Sequence, residues 1–104
     1  MKTTGIEHVT DAKPDKSPAR ILSIAGSDSG GGAGIQADIK AITMSGGFAM
    51  TAVTAITVQN TLGVYGAIPV PQDAIAGQIK VTLSDIGADV IKTGMLGDRK
   101  TIET

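Results

Sequence analysis

Residues 26–34 read Gly-Ser-Asp-Ser-Gly-Gly-Gly-Ala-Gly, one carboxylate and two hydroxyls set among five glycines. A stretch of this kind disfavours regular structure, because glycine loses the most backbone freedom on ordering and Ser and Asp favour turns. Its chemistry has two readings. It can bring backbone N–H groups up to a polar ligand at a helix N-terminus, or it can be a turn without a ligand. Gly32-Ala33-Gly34-Ile35-Gln36-Ala37 matches the G-x-G-x-x-G/A dinucleotide pattern in form. The acid that should hold the ribose about 20 residues later is missing, since no Asp or Glu stands between Asp38 and Asp73. Lys40 lies between Ile39 and Ala41, which excludes a Walker A loop. Asp28 can orient a ligand hydroxyl or accept from a ligand amine, or bond its own backbone. Gln59 ends an apolar run, where an uncharged amide must be paired. Its carboxamide offers donors and an acceptor side by side, which suits a flat heterocycle bearing an amino group next to a ring nitrogen. The other reading is a strand-end amide bonding the neighbouring loop. Met95 has a soft side chain that can lie against an aromatic ring or fill a core. Asp38, read in the first turn of a helix, complements the helix dipole. Lys92, ending a strand, can meet phosphate or extend its ammonium to water.

The elements that position these residues follow from apolar spacing. Residues 21–25 are a short apolar run ending at Gly26, as in a buried strand. Ile35, Ile39 and Ile42 recur at helical spacing up to Gly46-Gly47, which predicts a helix over 35–45. Residues 48–58 are apolar or small on both faces, which predicts one strand covered on both sides. Residues 60–63 predict a turn and 64–70 a short extended piece. Pro71 opens, and Gly87 closes, an amphipathic helix over 72–86 carrying Ile75, Ile79, Leu83 and Ile86. Residues 88–92 predict a further strand, and Asp98 the N-cap of another helix. Alternation of this kind argues for a parallel α/β sheet. Ligands of such sheets sit beyond the C-terminal strand ends. Here those ends lead into Gly26–Ser29, Gln59-Asn60-Thr61 and Thr93-Gly94-Met95-Leu96, expected to share one rim.

Composition narrows the function classes. The 104 residues carry a net charge of −1, so there is no basic footprint for nucleic acid or an anionic membrane. With no Cys and the single His8, a disulfide framework, a Cys-based zinc site, a Cys nucleophile and a His cluster are excluded from this chain. Its longest uncharged stretch, 41–72, is interrupted by glycines, Pro69 and Pro71, unlike a membrane span. Residues 1–19 have mixed charges and no apolar periodicity, and read as a flexible leader with His8 solvated. The expectation is a soluble cytoplasmic protein.

Three blocks carry a resemblance. Residues 24–38, IAGSDSGGGAGIQAD, then 54–61, TAITVQNT, and 92–96, KTGML, are similar in order and spacing to the hydroxymethylpyrimidine/phosphomethylpyrimidine kinases of thiamine biosynthesis. The resemblance covers about residues 20–104. It implies a ribokinase-like α/β fold, ATP with Mg2+ as phosphoryl donor system, and a cytoplasmic homodimer. The implied reaction is phosphorylation of 4-amino-5-hydroxymethyl-2-methylpyrimidine and its monophosphate. By the same resemblance Gln59 reads the pyrimidine ring, while Gly26, Asp28, Ala33, Thr57 and Met95 line its pocket. Thr57 departs from the apolar residue expected there. Members of this family are more than twice as long, and their C-terminal anion hole and nucleotide-binding segments have no counterpart here. Residues 20–104 are therefore expected to be the N-terminal, pyrimidine-binding part of a kinase domain, with no catalytic residue of its own. They are expected neither to fold stably nor to turn over alone. Two alternatives remain open: a pyridoxal or pyridoxine kinase of the same superfamily, and a non-catalytic heterocycle-binding remnant. The amide of Gln59 favours the aminopyrimidine.

Overall fold

The structure is a computed structural model and describes residues 17–94. The leader with His8, the residue Met95 and the helix expected after Asp98 lie outside the described residues.

Strand β1 (Arg20–Ala25) is the centre of a three-stranded parallel sheet. It pairs with β2 (Phe48–Val53) on one side and with β5 (Val90–Thr93) on the other. Helix α1 (Gly34–Met44) links β1 to β2, and helix α2 (Gln72–Asp85) precedes β5. The alternation of side chains along a strand explains the two cores. Ile21, with its register partners Ala49 and Val90, meets Ile42 of α1 on one face. Leu22, with Met50, Ile24 and Ala52, meets Ile79 of α2 on the other. Ile21 and Leu22 are almost wholly buried. Ala19 joins the first core, so packing begins one residue inside the stretch read as leader.

The helix limits agree with the predicted ones to within a residue. Helix α1 ends where Gly46 takes φ +88°. Helix α2 begins after Pro71, which occupies the N-cap position, and its chain reverses at Gly87 with φ +79°. The predicted single strand over 48–58 is corrected. The chain leaves the parallel sheet at Thr54, and β3 (Ala55–Gln59) pairs instead with β4 (Val64–Pro69) in a separate antiparallel ribbon. The break is made by hydrogen bonds. Thr54, buried, donates its N–H to Ala25 O (3.0 Å) and accepts at its carbonyl from Val70 N–H (2.9 Å).

The outer edge of β2 is closed at that break by a side chain. Gln78 of α2 accepts from Val53 N–H through Oε1 (2.9 Å) and donates from Nε2 to Val53 O (3.0 Å). A carboxamide has the same donor–acceptor pair as a peptide group, so Gln78 takes the place of one more strand residue. At the base of the sheet Asp89 receives Arg20 Nη2 at 2.9 Å, and Arg20 Nη1 reaches Ile86 O at 2.6 Å, joining β1 to the end of α2.

Candidate functional site

The loop between β1 and α1 is built on Asp28. Its Oδ1 accepts from Gly30 N–H (2.8 Å) and its Oδ2 from Gly32 N–H (3.0 Å), while its carbonyl accepts from Gly31 N–H (2.9 Å). Asp28 is buried, so these bonds also satisfy a carboxylate that would be costly to leave unpaired. The amides of Gly30 and Gly32 thus bond the protein's own carboxylate rather than an external anion. The N-terminus of α1 is closed in the same way, with Ile35 N–H bonded to Gly26 O at 2.9 Å. No side chain caps the helix, and Ala33 is its exposed N-cap residue.

Two side chains of α1, one turn apart, hold the loop from the helix side. Gln36 Oε1 accepts from Asp28 N–H at 2.7 Å, and Lys40 Nζ donates to Gly31 O at 2.7 Å. Two residues after Gln36, at Asp38, the same helix grips the sheet. Asp38 Oδ2 accepts from the hydroxyl of Ser23, which is fully buried on β1 (2.7 Å), and Oδ1 pairs with Lys92 Nζ on β5 (2.6 Å). This corrects two readings. Asp38 is the fifth residue of α1 and outside its first turn, which holds no acidic residue. Lys92 has a carboxylate partner. Asp38→Ala leaves the buried Ser23 hydroxyl without its acceptor and is expected to cost about 2 kcal/mol in denaturant unfolding. Lys92→Met removes only the half-exposed partner and is expected to cost less than about 1 kcal/mol.

Strand β3 docks along the loop as if along another strand. Ser27 N–H donates to Ala55 O (2.9 Å), and Ser27 Oγ accepts from Thr57 N–H (3.2 Å). Ser29 Oγ accepts from Gln59 N–H (2.8 Å) and donates to Gln59 O (2.5 Å). The hydroxyl of Thr57 donates to Ser27 O (2.7 Å) and accepts from Gln59 Nε2 (2.8 Å). Asn60 closes the ribbon's turn, its Oδ1 accepting from Leu62 N–H at 2.8 Å. Gln59 therefore reaches the loop from the end of the ribbon, whereas the parallel strand β2 ends at Val53. The third segment arrives as expected: Gly94, following β5, donates its N–H to Ile24 O at 2.9 Å.

Of the six residues named from the sequence, Thr57 and Gln59 are bonded, through Ser27 and Ser29, to the loop that also holds Gly26 and Asp28. Ala33 stands at the loop's far end, and Met95 lies outside the described residues. Gln36, Lys40 and Gln78 were not singled out. For Gln78 the signal existed: it lies three residues after Ile75, on the apolar face, where an amide needs a buried partner. Among the described residues no group of three His, Cys, Asp or Glu converges to hold a metal ion, and no helix is long and apolar enough to cross a membrane.

A parallel sheet whose first loop docks on an antiparallel ribbon places the chain among the ribokinase-like kinases. A phosphomethylpyrimidine kinase from Clostridium difficile 630 superposes with a TM-score of 0.79 at 42% identity, over 82% of this chain and 37% of that one. The pyridoxal kinase of Staphylococcus aureus, solved in complex with AMP-PCP and pyridoxal, gives a TM-score of 0.74 at 41% identity, over 82% and 32%. Within that class, the phosphomethylpyrimidine kinase family model matches residues 28–104. The hydroxymethylpyrimidine/phosphomethylpyrimidine kinase of Mycobacterium tuberculosis (strain ATCC 25618 / H37Rv) is 55% identical over 93 residues, which is 89% of this chain and 34% of that protein. The chain belongs to the phosphomethylpyrimidine kinase family. It spans about a third of the length of the curated relatives it matches.

Proposed function

We propose that the protein takes part in ATP-dependent phosphorylation of 4-amino-5-hydroxymethyl-2-methylpyrimidine and then of its monophosphate, with residues 20–104 supplying the pyrimidine-binding part. In the first step the substrate hydroxyl oxygen accepts the γ-phosphoryl group, with release of ADP and a proton; in the second a phosphate oxygen of the monophosphate accepts it, with release of ADP. The observation that carries the reading is the carboxamide of Gln59, held against the loop through Thr57 and Ser27. With its Nε2 held on Thr57 Oγ1, it offers Oε1 to the exocyclic amine of the ring. Gly26, Asp28, Ala33 and Met95 complete the pocket in this proposal, with Asp28 shaping the loop.

The described residues do not suit a triphosphate or its Mg2+. The amides of Gly30, Gly31 and Gly32 are already bonded to Asp28, and no acidic cluster stands beside them. ATP and Mg2+ are accordingly assigned to parts of the protein outside residues 17–94. The proposed setting is the cytoplasm, where ATP is available, and the proposed assembly is a homodimer. Support for the latter comes from the ribbon, where Ile56 and Ile68 are register partners and both exposed.

One observation favours a second reading, action on pyridoxal: the likeness to the S. aureus pyridoxal kinase, whose solved complex contains pyridoxal. The test is a competition assay with the full-length protein, ATP and equal concentrations of the hydroxymethylpyrimidine and pyridoxal. A phosphorylation rate at least about tenfold higher for the pyrimidine is expected, a preference of about 1.4 kcal/mol. Faster turnover of pyridoxal would select the second reading.

A further inference from the structure

We infer that Thr57 is a specificity-determining positioning residue, which fixes which end of the Gln59 carboxamide faces a ligand. The inference deepens the pyrimidine reading and rests on it for the choice of ring. It begins with hydrogen-bond polarity. Ser27 O is a carbonyl oxygen and only accepts, so at 2.7 Å the single hydroxyl proton of Thr57 goes to it. Thr57 Oγ1 then has only lone pairs for its other neighbour, the Gln59 amide at 2.8 Å. That neighbour must be the NH2 end. The opposite orientation would set Oε1 against an oxygen with no proton to give. The backbone carbonyl of Ser27 thereby determines, through two hydrogen bonds, that Oε1 is the end of the amide left for a ligand.

The main chain prevents the relay from drifting. Thr57 N–H is bonded to Ser27 Oγ at 3.2 Å, and Ser27 N–H to Ala55 O at 2.9 Å, so Ser27 and Thr57 are joined on both sides. Gln59 is anchored at its own N–H and carbonyl by Ser29 Oγ. With the main chain fixed, the placement of the carboxamide rests on its one side-chain bond, to Thr57. An outward Oε1 accepts from an exocyclic amine. It faces the oxygen of a 4-oxo ring as one acceptor against another. A valine, close to threonine in shape, would leave the amide free to turn over and accept either ring.

The experiment compares the full-length protein with Thr57→Val and Thr57→Ser. Binding of 4-amino-5-hydroxymethyl-2-methylpyrimidine and its 4-oxo counterpart is measured by calorimetry, and the Gln59 side-chain NH2 signals by NMR. The wild type is expected to prefer the amino ring by about 100-fold or more. Thr57→Val is expected to lower that ratio by about tenfold, mainly through tighter binding of the oxo ring, and Thr57→Ser to retain it. In the wild type and Thr57→Ser, one Gln59 amide proton should exchange slowly with solvent, and in Thr57→Val it should not. An unchanged ratio in Thr57→Val, or a wild-type ratio near one, overturns the inference. Should the wild type bind neither pyrimidine, the pyrimidine reading fails, and the amide-proton comparison still decides the relay. Should Thr57→Val not fold, slow exchange in the wild type supports the relay and rapid exchange rejects it.

Discussion

Gly34→Ala is expected to cost the protein on the order of 3–5 kcal/mol and to abolish ligand binding with it. Gly34 has φ +59°, in the left-handed region that side chains with a Cβ adopt at a cost. Lack of space costs more than the backbone angle. A Cβ at this position would lie 2.4 Å from Gly26 O and 3.2 Å from Asp28 N, both backbone atoms. The obstacle cannot swing aside like a side-chain tip, because Gly26 O accepts from Ile35 N–H in the first turn of α1 and Asp28 N is bonded to Gln36. Relief requires the loop to lift from α1, which breaks the Ile35–Gly26 and Gln36–Asp28 bonds. Gly46→Ala separates the two effects. Gly46 also has a positive φ, +88°, but nothing lies within 4 Å of where its Cβ would stand. Its loss should be about 1 kcal/mol, the cost of the backbone angle alone. Guanidinium unfolding of the two variants reads the difference. Equal losses would mean that the close approach of α1 to Gly26 does not govern the loop.

The second large effect is expected at Gln59. Gln59→Leu keeps most of the volume and deletes the amide, and should weaken binding of the aminopyrimidine by about tenfold, as for the one lost hydrogen bond from the ring's amine to Oε1. Stability should change little, because the bonds from Ser29 Oγ go to the main chain of Gln59. Gln59→Glu is expected to be at least as damaging. It replaces the NH2 end with an oxygen facing Thr57 Oγ1, whose proton is committed to Ser27 O. A calorimetric titration of each variant gives the result. Binding within about threefold of the wild type for both would remove Gln59 from the site.

Much of this arrangement is legible in the sequence because it is local. The run 21–25 is buried as an unbroken apolar strand should be, and both helices stop where glycine follows their apolar spacing. The strand break at Thr54 is harder to see, since threonine suits a strand interior as well as a hinge. Its cause lies in bonds to Ala25 and Val70, distant in sequence. One sign was present. From Ala55 onward, apolar Ile56 and Val58 alternate with polar Thr57 and Gln59, the pattern of a half-exposed strand, whereas 48–53 lacks it. With the turn at 60–63 this alternation marks a hairpin.

The site divides along the same line. Gln59 stands out because an amide ending an apolar run needs an explanation. The roles of Ser27, Ser29, Gln36 and Lys40 do not, because each depends on which backbone group a folded loop turns toward it. Asp28 shows how one residue type admits two readings: its carboxylate organises the loop from within. Thr57, the departure from the expected apolar residue, acquires its meaning only when Ser27 O and Gln59 Nε2 are seen on either side of its hydroxyl.

The most direct measurement is a crystal structure of the full-length protein with 4-amino-5-hydroxymethyl-2-methylpyrimidine bound. The ring is expected beside the loop–ribbon contact, its amine donating to Gln59 Oε1 while Nε2 stays on Thr57. A ring bound away from Gln59, or an amide turned with Nε2 toward the amine, would contradict the account.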